Sequence, residues 1–157
     1  MRVTVLADAS WCPSTGAAGY GYWIASDRGS RGGGNVLSRA TTNNDAEMMA
    51  VVNTLHIALT AGLIESGDVV LVQTDSSHAI SRFTRAGANA TSVEREVIAA
   101  LRWIVREHKL TISYKHVKGH TNRNTHTAAR FGANRMCDLR ARRYMNEARR
   151  RLRQEGK

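Results

Sequence analysis

The hydrophobic positions of the first forty residues are typical of short β-strands separated by turns. Residues 2 to 7 are apolar or β-branched and end at Asp8, which predicts a buried strand with a carboxylate at its C-terminal tip. Apolar side chains at alternate positions, namely Tyr20, Tyr22 and Ile24, predict a second strand. Residues 35 to 39 predict a third strand after a glycine-rich hairpin loop at 29 to 34. Three successive strands predict an antiparallel meander.

The period changes to that of a helix from Met48 onward. Apolar residues at helical spacing predict a helix that ends near Gly62; they are Met48, Val51, Val52, Leu55 and Leu59. Residues 68 to 74 predict an apolar strand that ends at Asp75, and their hydrophobicity favours a central position in a parallel sheet. A short helix is predicted from there to about Arg85.

The second half of the chain predicts two further helices and one strand. Apolar positions between 93 and 105 predict an amphipathic helix, and residues 110 to 117 predict a strand. Residues 119 to 132 are polar and predict a loop, and a last helix is predicted to begin at Asn134. The order βββαβααβα predicts an α+β domain, with a mixed sheet and helices on its faces. We expect the whole chain to form one domain, with an arginine-rich helical extension at about 140 to 157.

Composition is that of an ordinary soluble domain. The chain has 157 residues, 42% of them hydrophobic and 23% charged, which disfavours disorder, a coiled-coil rod and a collagen-like repeat. Its two cysteines are too few for a disulfide framework, and Asp8 interrupts the apolar stretch that a signal peptide needs. No apolar run reaches the roughly 18 residues of a membrane span. We expect a cytoplasmic protein with no membrane partner and no obligate protein partner.

The balance of charge departs from the average. The chain has 23 lysines and arginines against 13 acids, a formal net charge of +10 and a pI of about 10.6. A field of this sign attracts polyanions, so nucleic acid is the first partner to consider. Charge alone leaves open a basic surface for acidic proteins or lipids.

Four of the acids occupy positions that set them apart from surface acids. Asp8 and Asp75 each end an apolar strand, while Glu47 and Asp138 each lie in the predicted first turn of a helix. If the two strands are parallel neighbours, Asp8 and Asp75 emerge at the same edge of the sheet, where α/β proteins bind ligands.

A cluster of carboxylates needs positive charge to hold it together. Two like charges about 4 Å apart repel by roughly 4 kcal/mol at an effective dielectric of 20. Oxygen-only ligation selects hard divalent cations such as Mg²⁺ or Mn²⁺, and two such ions about 4 Å apart can flank a phosphodiester. An acidic metal site within a basic surface suits hydrolysis of a nucleic acid backbone.

Three of these acids also have a purely structural interpretation. Glu47 follows Asn44 at the spacing of a capping box. Asp138 near a helix start favours the helix dipole, and Asp75 before two serines can serve as an N-cap. Only the joint pattern of the four acids favours a metal site.

Five motifs follow one another in chain order. They are Ala7-Asp8-Ala9-Ser10, Thr41-Thr42-Asn43-Asn44-Asp45-Ala46-Glu47, Thr74-Asp75-Ser76, His116-Val117-Lys118-Gly119-His120 and Asn134-Arg135-Met136-Cys137-Asp138. Together they resemble ribonuclease H of the bacterial type, over residues 2 to 145. The resemblance implies a ribonuclease H-like fold, a five-stranded mixed sheet of order 3-2-1-4-5 with helices on both faces. It also implies endonucleolytic hydrolysis of the RNA strand of RNA–DNA hybrids.

The resemblance assigns roles to individual residues. It implies catalytic and metal-binding roles for Asp8, Glu47, Asp75 and Asp138, which would hold two Mg²⁺ ions, with Mn²⁺ as a substitute, and a catalytic role for His120. It implies substrate contacts from Ser10, Thr42, Asn43, Asn44 and Lys118. Amide side chains suit this role because they can donate to and accept from a 2′-hydroxyl, the group that distinguishes RNA from DNA.

The sequence departs from the family pattern at positions that bear on substrate grip. Ala9, Ser14, Ala40 and Ser77 replace residues that are common in the family, and the basic handle of some members is missing after Arg82. The loop at 119 to 133 is longer than is usual in the family, and we expect its Arg123 and Arg130, together with the arginines of the last helix, to supply phosphate contacts instead. Two other functions stay open: a nuclease of the same fold that acts on DNA, as resolvases do, and a noncatalytic module that binds hybrids.

Overall fold

The protein folds around a five-stranded sheet. The computed structural model describes residues 2–38, 40–85, 89–117 and 128–155. In chain order the elements are β1 (Arg2–Trp11), β2 (Ala18–Ser26), β3 (Gly29–Leu37), α1 (Asn43–Thr60), β4 (Val69–Thr74), α2 (Ser77–Thr84), α3 (Ser92–Glu107), β5 (Thr111–His116) and α4 (Ala128–Glu155). The strand order is β3-β2-β1-β4-β5, which confirms the α+β fold and the order that the resemblance implies.

The pairing of β1 decides where its carboxylate lies. β1 runs parallel to β4 only as far as the pair Leu6 and Gln73, whereas it stays paired with the antiparallel β2 as far as Trp11. The prediction that the strand ends at Asp8 was therefore wrong, because β2 supplies hydrogen-bond partners beyond that point. Asp8 nevertheless lies just past the parallel pairing, at the same end of the sheet as Asp75.

The glycine-rich segment is a strand and not the predicted hairpin loop. β3 begins at Gly29 and ends at Leu37, so the predicted strand at 35 to 39 begins too late and extends too far. Gly32 and Gly34 lie where α4 packs closely on this part of the sheet. A Cβ atom on Gly34 would lie 2.9 Å from the Tyr144 ring of α4 and closer still to the backbone oxygen of Tyr20.

Apolar side chains fill both faces of the sheet. On one face, the main core joins the strands to α1 and α3 and includes Val5, Val72 and Leu55, all fully buried. On the other face, Leu6 packs against Cys137 of α4. The alternation along β1 therefore places the carboxylate-bearing end of the strand between two packed layers. Within the described ranges, no helix is long and apolar enough to cross a membrane.

The last helix begins earlier than the sequence predicts. α4 starts at Ala128, so residues 128 to 132 of the predicted loop are helical, and Asp138 lies ten residues after the first residue of the helix instead of in its first turn. The segment contains no proline, and a single glycine at 132 lowers helix stability by only about 1 kcal/mol. The rest of the predicted loop, 119 to 127, lies outside the described residues.

A buried acid joins α2 to α3. Glu94 is 4% exposed, accepts a hydrogen bond from Arg82 Nε at 2.9 Å, and lies 2.8 Å from His78 Nε2. Its backbone and side chain also form a capping box with Thr91 at the start of α3. These contacts fix the short α2 against α3, and they thereby fix the segment that directly follows Asp75.

Candidate active site

Three carboxylates from distant parts of the chain meet at the carboxyl ends of the parallel strands. Oxygen atoms of Asp8, Glu47 and Asp75 all lie within 4.8 Å of one another. Asp8 comes from β1, Glu47 from α1, and Asp75 directly follows β4. The convergence that the sequence predicts for these three acids is present in the structure.

The start of α1 directs Glu47 into the cluster. Thr42 is the N-cap, and its hydroxyl oxygen accepts a hydrogen bond from the Asp45 backbone N–H at 3.1 Å. Asp45 in turn accepts from the backbone and the hydroxyl of Thr41. The capping interpretation of Glu47 was therefore wrong, because Asp45 takes that role. Glu47 is 6% exposed, and its Oε2 is buried with no hydrogen-bond partner among the described residues.

Asp75 is likewise free of a capping role. Ser76 is the N-cap of α2, and its Oγ accepts from the Ala79 backbone N–H at 3.0 Å. The N-cap interpretation of Asp75 was wrong for that reason. On its other side, His116 of β5 places Nε2 3.0 Å from the Asp75 carbonyl oxygen.

His116 is a site neighbour that begins the fourth sequence motif but has no role at the site assigned to it from the sequence. Thr74 and His116 are paired at the ends of β4 and β5, which brings the imidazole beside Asp75. A proton on His116 favours the charged form of Asp75 and opposes the rise in its pKa. Only the strand register reveals this neighbour, since 41 positions separate the two residues along the chain.

The carboxylates of the cluster cannot all stay ionised unless a positive charge compensates them. Burial, together with the negative charges of Asp75 and Asp138, raises the pKa of Asp8 from 3.8 to about 8. Burial also raises the pKa of Glu47 well above its usual value, and that of Asp75 above its usual value. Converging oxygen donors, mutual repulsion and the unpartnered Glu47 Oε2 together fit a hard divalent cation.

Asp138 faces this cluster from α4 but stands slightly apart from it. It is not one of the three acids within 4.8 Å, yet its charge raises the pKa of both Asp8 and Asp75. Its Oδ2 lies 3.4 Å from Arg142 Nη2, one helical turn further along. The interpretation of Asp138 as a partner of the helix dipole was wrong, because it lies well inside α4.

The predicted substrate residues lie around this cluster where they are described. Thr42, Asn43 and Asn44 are exposed at the start of α1, one turn before Glu47. Ser10 lies on β1 two positions after Asp8, and the intervening Ala9 donates its backbone N–H to Asp8 Oδ1 at 3.0 Å. The two remaining predicted residues, Lys118 and His120, lie outside the described residues.

Without divalent ions, Asp8→Asn should become progressively more stable than the wild type as the pH rises from 5 to 8. Folding raises the pKa of Asp8 from 3.8 to about 8, so its stabilising contribution is complete below pH 3.8 and is lost as the pH rises through 8. The asparagine side chain is neutral throughout, so the variant escapes a loss of at most about 1.4 kcal/mol per pH unit.

Urea unfolding in EDTA at several pH values measures this difference. Adding Mg²⁺ at pH 8 should stabilise the wild type more than Asp8→Asn. A difference between the two proteins that stays constant from pH 5 to 8 would contradict the burial and repulsion assigned to Asp8.

Comparison of the chain with known proteins points to one family. The RNase H family model matches residues 1–146. RNase H1 from the archaeon Halobacterium salinarum is 23% identical and has a TM-score of 0.71, with 94% of this chain and 100% of that chain covered. The N-terminal RNase H domain of a Mycobacterium tuberculosis protein is 20% identical, with a TM-score of 0.71 and coverage of 95% and 96%.

A third solved structure contains nucleic acid. It is LC11-RNase H1 in complex with an RNA/DNA hybrid, 17% identical with a TM-score of 0.67, and 93% of this chain and 98% of that chain are covered. No curated protein sequence matches the chain significantly. These structures share the fold, and the family model covers all five strands and the four predicted acids, so the chain belongs to the RNase H family.

Proposed function

We propose that the protein is an endoribonuclease that hydrolyses the RNA strand of RNA–DNA hybrids. The observation that carries the proposal is the convergence of Asp8, Glu47 and Asp75 within 4.8 Å at the carboxyl ends of the parallel strands. Membership of the RNase H family and the fold shared with a relative solved on an RNA/DNA hybrid support the same substrate. The net charge of +10 is complementary to such a substrate.

The metal-binding residues would be the four acids. Asp8, Glu47, Asp75 and Asp138 offer carboxylate oxygens only, a donor set that suits Mg²⁺, with Mn²⁺ as a substitute. Two bound ions would activate water for attack on the phosphorus and stabilise the leaving oxygen. Asp8 would be a ligand together with Glu47 and Asp75, because oxygen atoms of the three residues lie within 4.8 Å of one another. Burial of the cluster would exclude bulk water and strengthen these interactions.

The surrounding residues would select and hold the hybrid. Asn43 and Asn44 present amide groups beside Glu47, at a position where they would contact 2′-hydroxyls and base edges in the minor groove. Thr42 and Ser10 would contact the backbone. We assign Lys118 to substrate binding and His120 to proton transfer near the leaving group, because an imidazole titrates near neutral pH. The whole chain would act as a single RNase H domain.

A strand-labelled digest tests the proposal. We expect Mg²⁺-dependent cleavage of the RNA strand of a hybrid, and no cleavage of its DNA strand or of duplex DNA of the same sequence. EDTA should abolish the reaction, and Mn²⁺ should restore it. Cleavage of duplex DNA at a similar rate would indicate a DNA nuclease of this fold. A protein that binds the hybrid but cuts nothing with either ion would be a noncatalytic binding module.

A further inference from the structure

The C-terminal half of α4 extends beyond the sheet as an arginine-rich helix. Ala141 and Tyr144 pack against β2 and β3, where Gly19 and Gly34 allow the helix backbone to approach closely. From Arg150 to the end of α4 every residue is exposed. The helix carries nine arginines and three acids, so this projecting segment is strongly basic.

Four of these arginines lie on the side of α4 that carries Asp138. With 3.6 residues per turn, positions 135, 142, 149 and 153 fall within about 60° of Asp138 around the helix axis. The ion pair of Asp138 with Arg142 confirms that this side is shared. We call Arg135, Arg142, Arg149 and Arg153 the Asp138-side arginines.

Other arginines of α4 point elsewhere. Arg140 lies over the sheet, with Nη1 3.5 Å from the Tyr22 carbonyl oxygen. The Arg143 guanidinium lies 5.9 Å from the centre of the Tyr144 ring, and Arg151 is ion-paired with Glu147 at 2.6 Å. The Asp138-side arginines therefore share the side of the helix that faces the acidic cluster, whereas Arg140, Arg143 and Arg151 do not.

We propose that the Asp138-side arginines bind backbone phosphates of the hybrid beyond the cleaved linkage, an inference that rests on the proposed function. Arg153 follows Asp138 by 15 residues, about 22 Å along the helix. That distance corresponds to roughly six or seven base pairs at about 3.4 Å each. A row of cations that begins at the metal-binding acids is complementary to a polyanion that extends from the same place.

Nucleic acid fits this surface better than a lipid membrane does. Helices that lie on membranes combine basic residues with a broad apolar face. Within the exposed end of α4, Leu152 is the large apolar side chain, 43% exposed, and the remaining side chains are polar or charged. The surface therefore offers charge for phosphates and little apolar area for acyl chains.

A pair of matched double variants tests the proposal. R149Q/R153Q removes two Asp138-side arginines, and R143Q/R150Q removes two arginines from another side of the same helix. Both variants lose the same net charge, and glutamine preserves helix propensity, which far-UV circular dichroism can verify. Affinity for a hybrid of about 20 base pairs is measured in EDTA at several salt concentrations, so that binding is separated from cleavage.

R149Q/R153Q should weaken binding roughly tenfold at low salt and reduce the slope of log K against log salt by about 1.4 to 1.8. R143Q/R150Q should change affinity less than twofold. With Mg²⁺ present, R149Q/R153Q should raise KM and leave kcat unchanged. Equal losses in the two variants, or unchanged slopes in both, would overturn the proposal.

Two further outcomes separate this inference from the proposed function. If R149Q/R153Q loses affinity for anionic phospholipid vesicles while hybrid binding is unchanged, the surface binds membranes and the proposal fails. A wild-type protein that binds the hybrid with the predicted salt dependence but does not cleave it would instead refute the proposed function. The assignment of the Asp138-side arginines would stand in that case.

Discussion

Asp75→Asn is expected to abolish cleavage of the hybrid while leaving the chain folded. The substitution removes one of three carboxylates that lie within 4.8 Å of one another and weakens metal binding at the cluster. Metal-assisted charge stabilisation contributes several kcal/mol to such reactions. Because each 1.36 kcal/mol changes a rate about tenfold, we expect the activity to fall roughly a thousandfold or more.

The same substitution should stabilise the metal-free protein. Burial and the charge of Asp138 raise the pKa of Asp75, so the wild-type carboxylate is held in an unfavourable environment when no cation is bound. An asparagine side chain at this position has a similar shape and no charge. We therefore expect a higher midpoint of thermal unfolding in EDTA for Asp75→Asn than for the wild type.

Asp27→Asn is the matched control for charge. Asp27 is exposed in the turn between β2 and β3, so its substitution changes the net charge equally without touching the cluster. Cleavage should stay within twofold of wild type in this variant. If Asp75→Asn retains more than a tenth of wild-type activity at saturating Mg²⁺, the assignment of Asp75 as a metal ligand is wrong.

The convergence of Asp8, Glu47 and Asp75 could be predicted because local patterns place Asp75 at the end of a strand, Glu47 near the start of a helix and Asp8 late in the first strand. An apolar run before Asp75 predicts a buried strand, and polar residues before Glu47 predict a helix start. Parallel pairing then brings the strand ends together. These signals need no knowledge of which side chains pack across the sheet.

Features that depend on long-range packing could not be predicted in this way. The glycines of β3 carry the local signature of a turn, but two of them, Gly32 and Gly34, accommodate the close approach of α4, more than one hundred residues later in the chain. His116 lies beside Asp75 because of the register of β4 and β5. The start of α4 at Ala128 was not predicted because the glycine at 132 suggests a break in the helix.

α4 takes part in both proposed roles, metal binding and contact with the phosphates of the hybrid. Its first part packs on the sheet through Cys137 and presents Asp138 to the cluster, while its last part projects the arginines. Any change that lifts this helix from the sheet should therefore affect metal binding and phosphate contacts together. A substitution where α4 lies close to the sheet tests whether metal binding and phosphate contacts depend on the position of the helix.

Gly21→Ala is expected to lower both stability and activity through such a displacement. Gly21 is paired with Asp8 across β1 and β2, and it lies under α4. A Cβ atom there would lie 2.8 Å from Arg140 Cβ and 3.0 Å from the Cys137 carbonyl carbon, and closer still to the Cys137 oxygen. These neighbours belong to or lie next to the backbone, so side-chain rotation cannot relieve the contact and the helix must move.

Overpacking of this kind lowers the free energy of unfolding by about 1 to 3 kcal/mol. Because Asp138 directly follows Cys137, its carboxylate would move away from Asp8, and a displacement of about 1 Å can slow catalysis about a hundredfold. Gly132→Ala is the matched control, since a Cβ there would meet no atom of the described part of the chain within 4 Å and should stabilise α4 by up to about 1 kcal/mol. Urea unfolding should therefore show lower stability for Gly21→Ala than for Gly132→Ala, and the hybrid cleavage assay should show lower activity for Gly21→Ala. Wild-type kcat in a stably folded Gly21→Ala protein would show that cleavage does not depend on the position of Asp138.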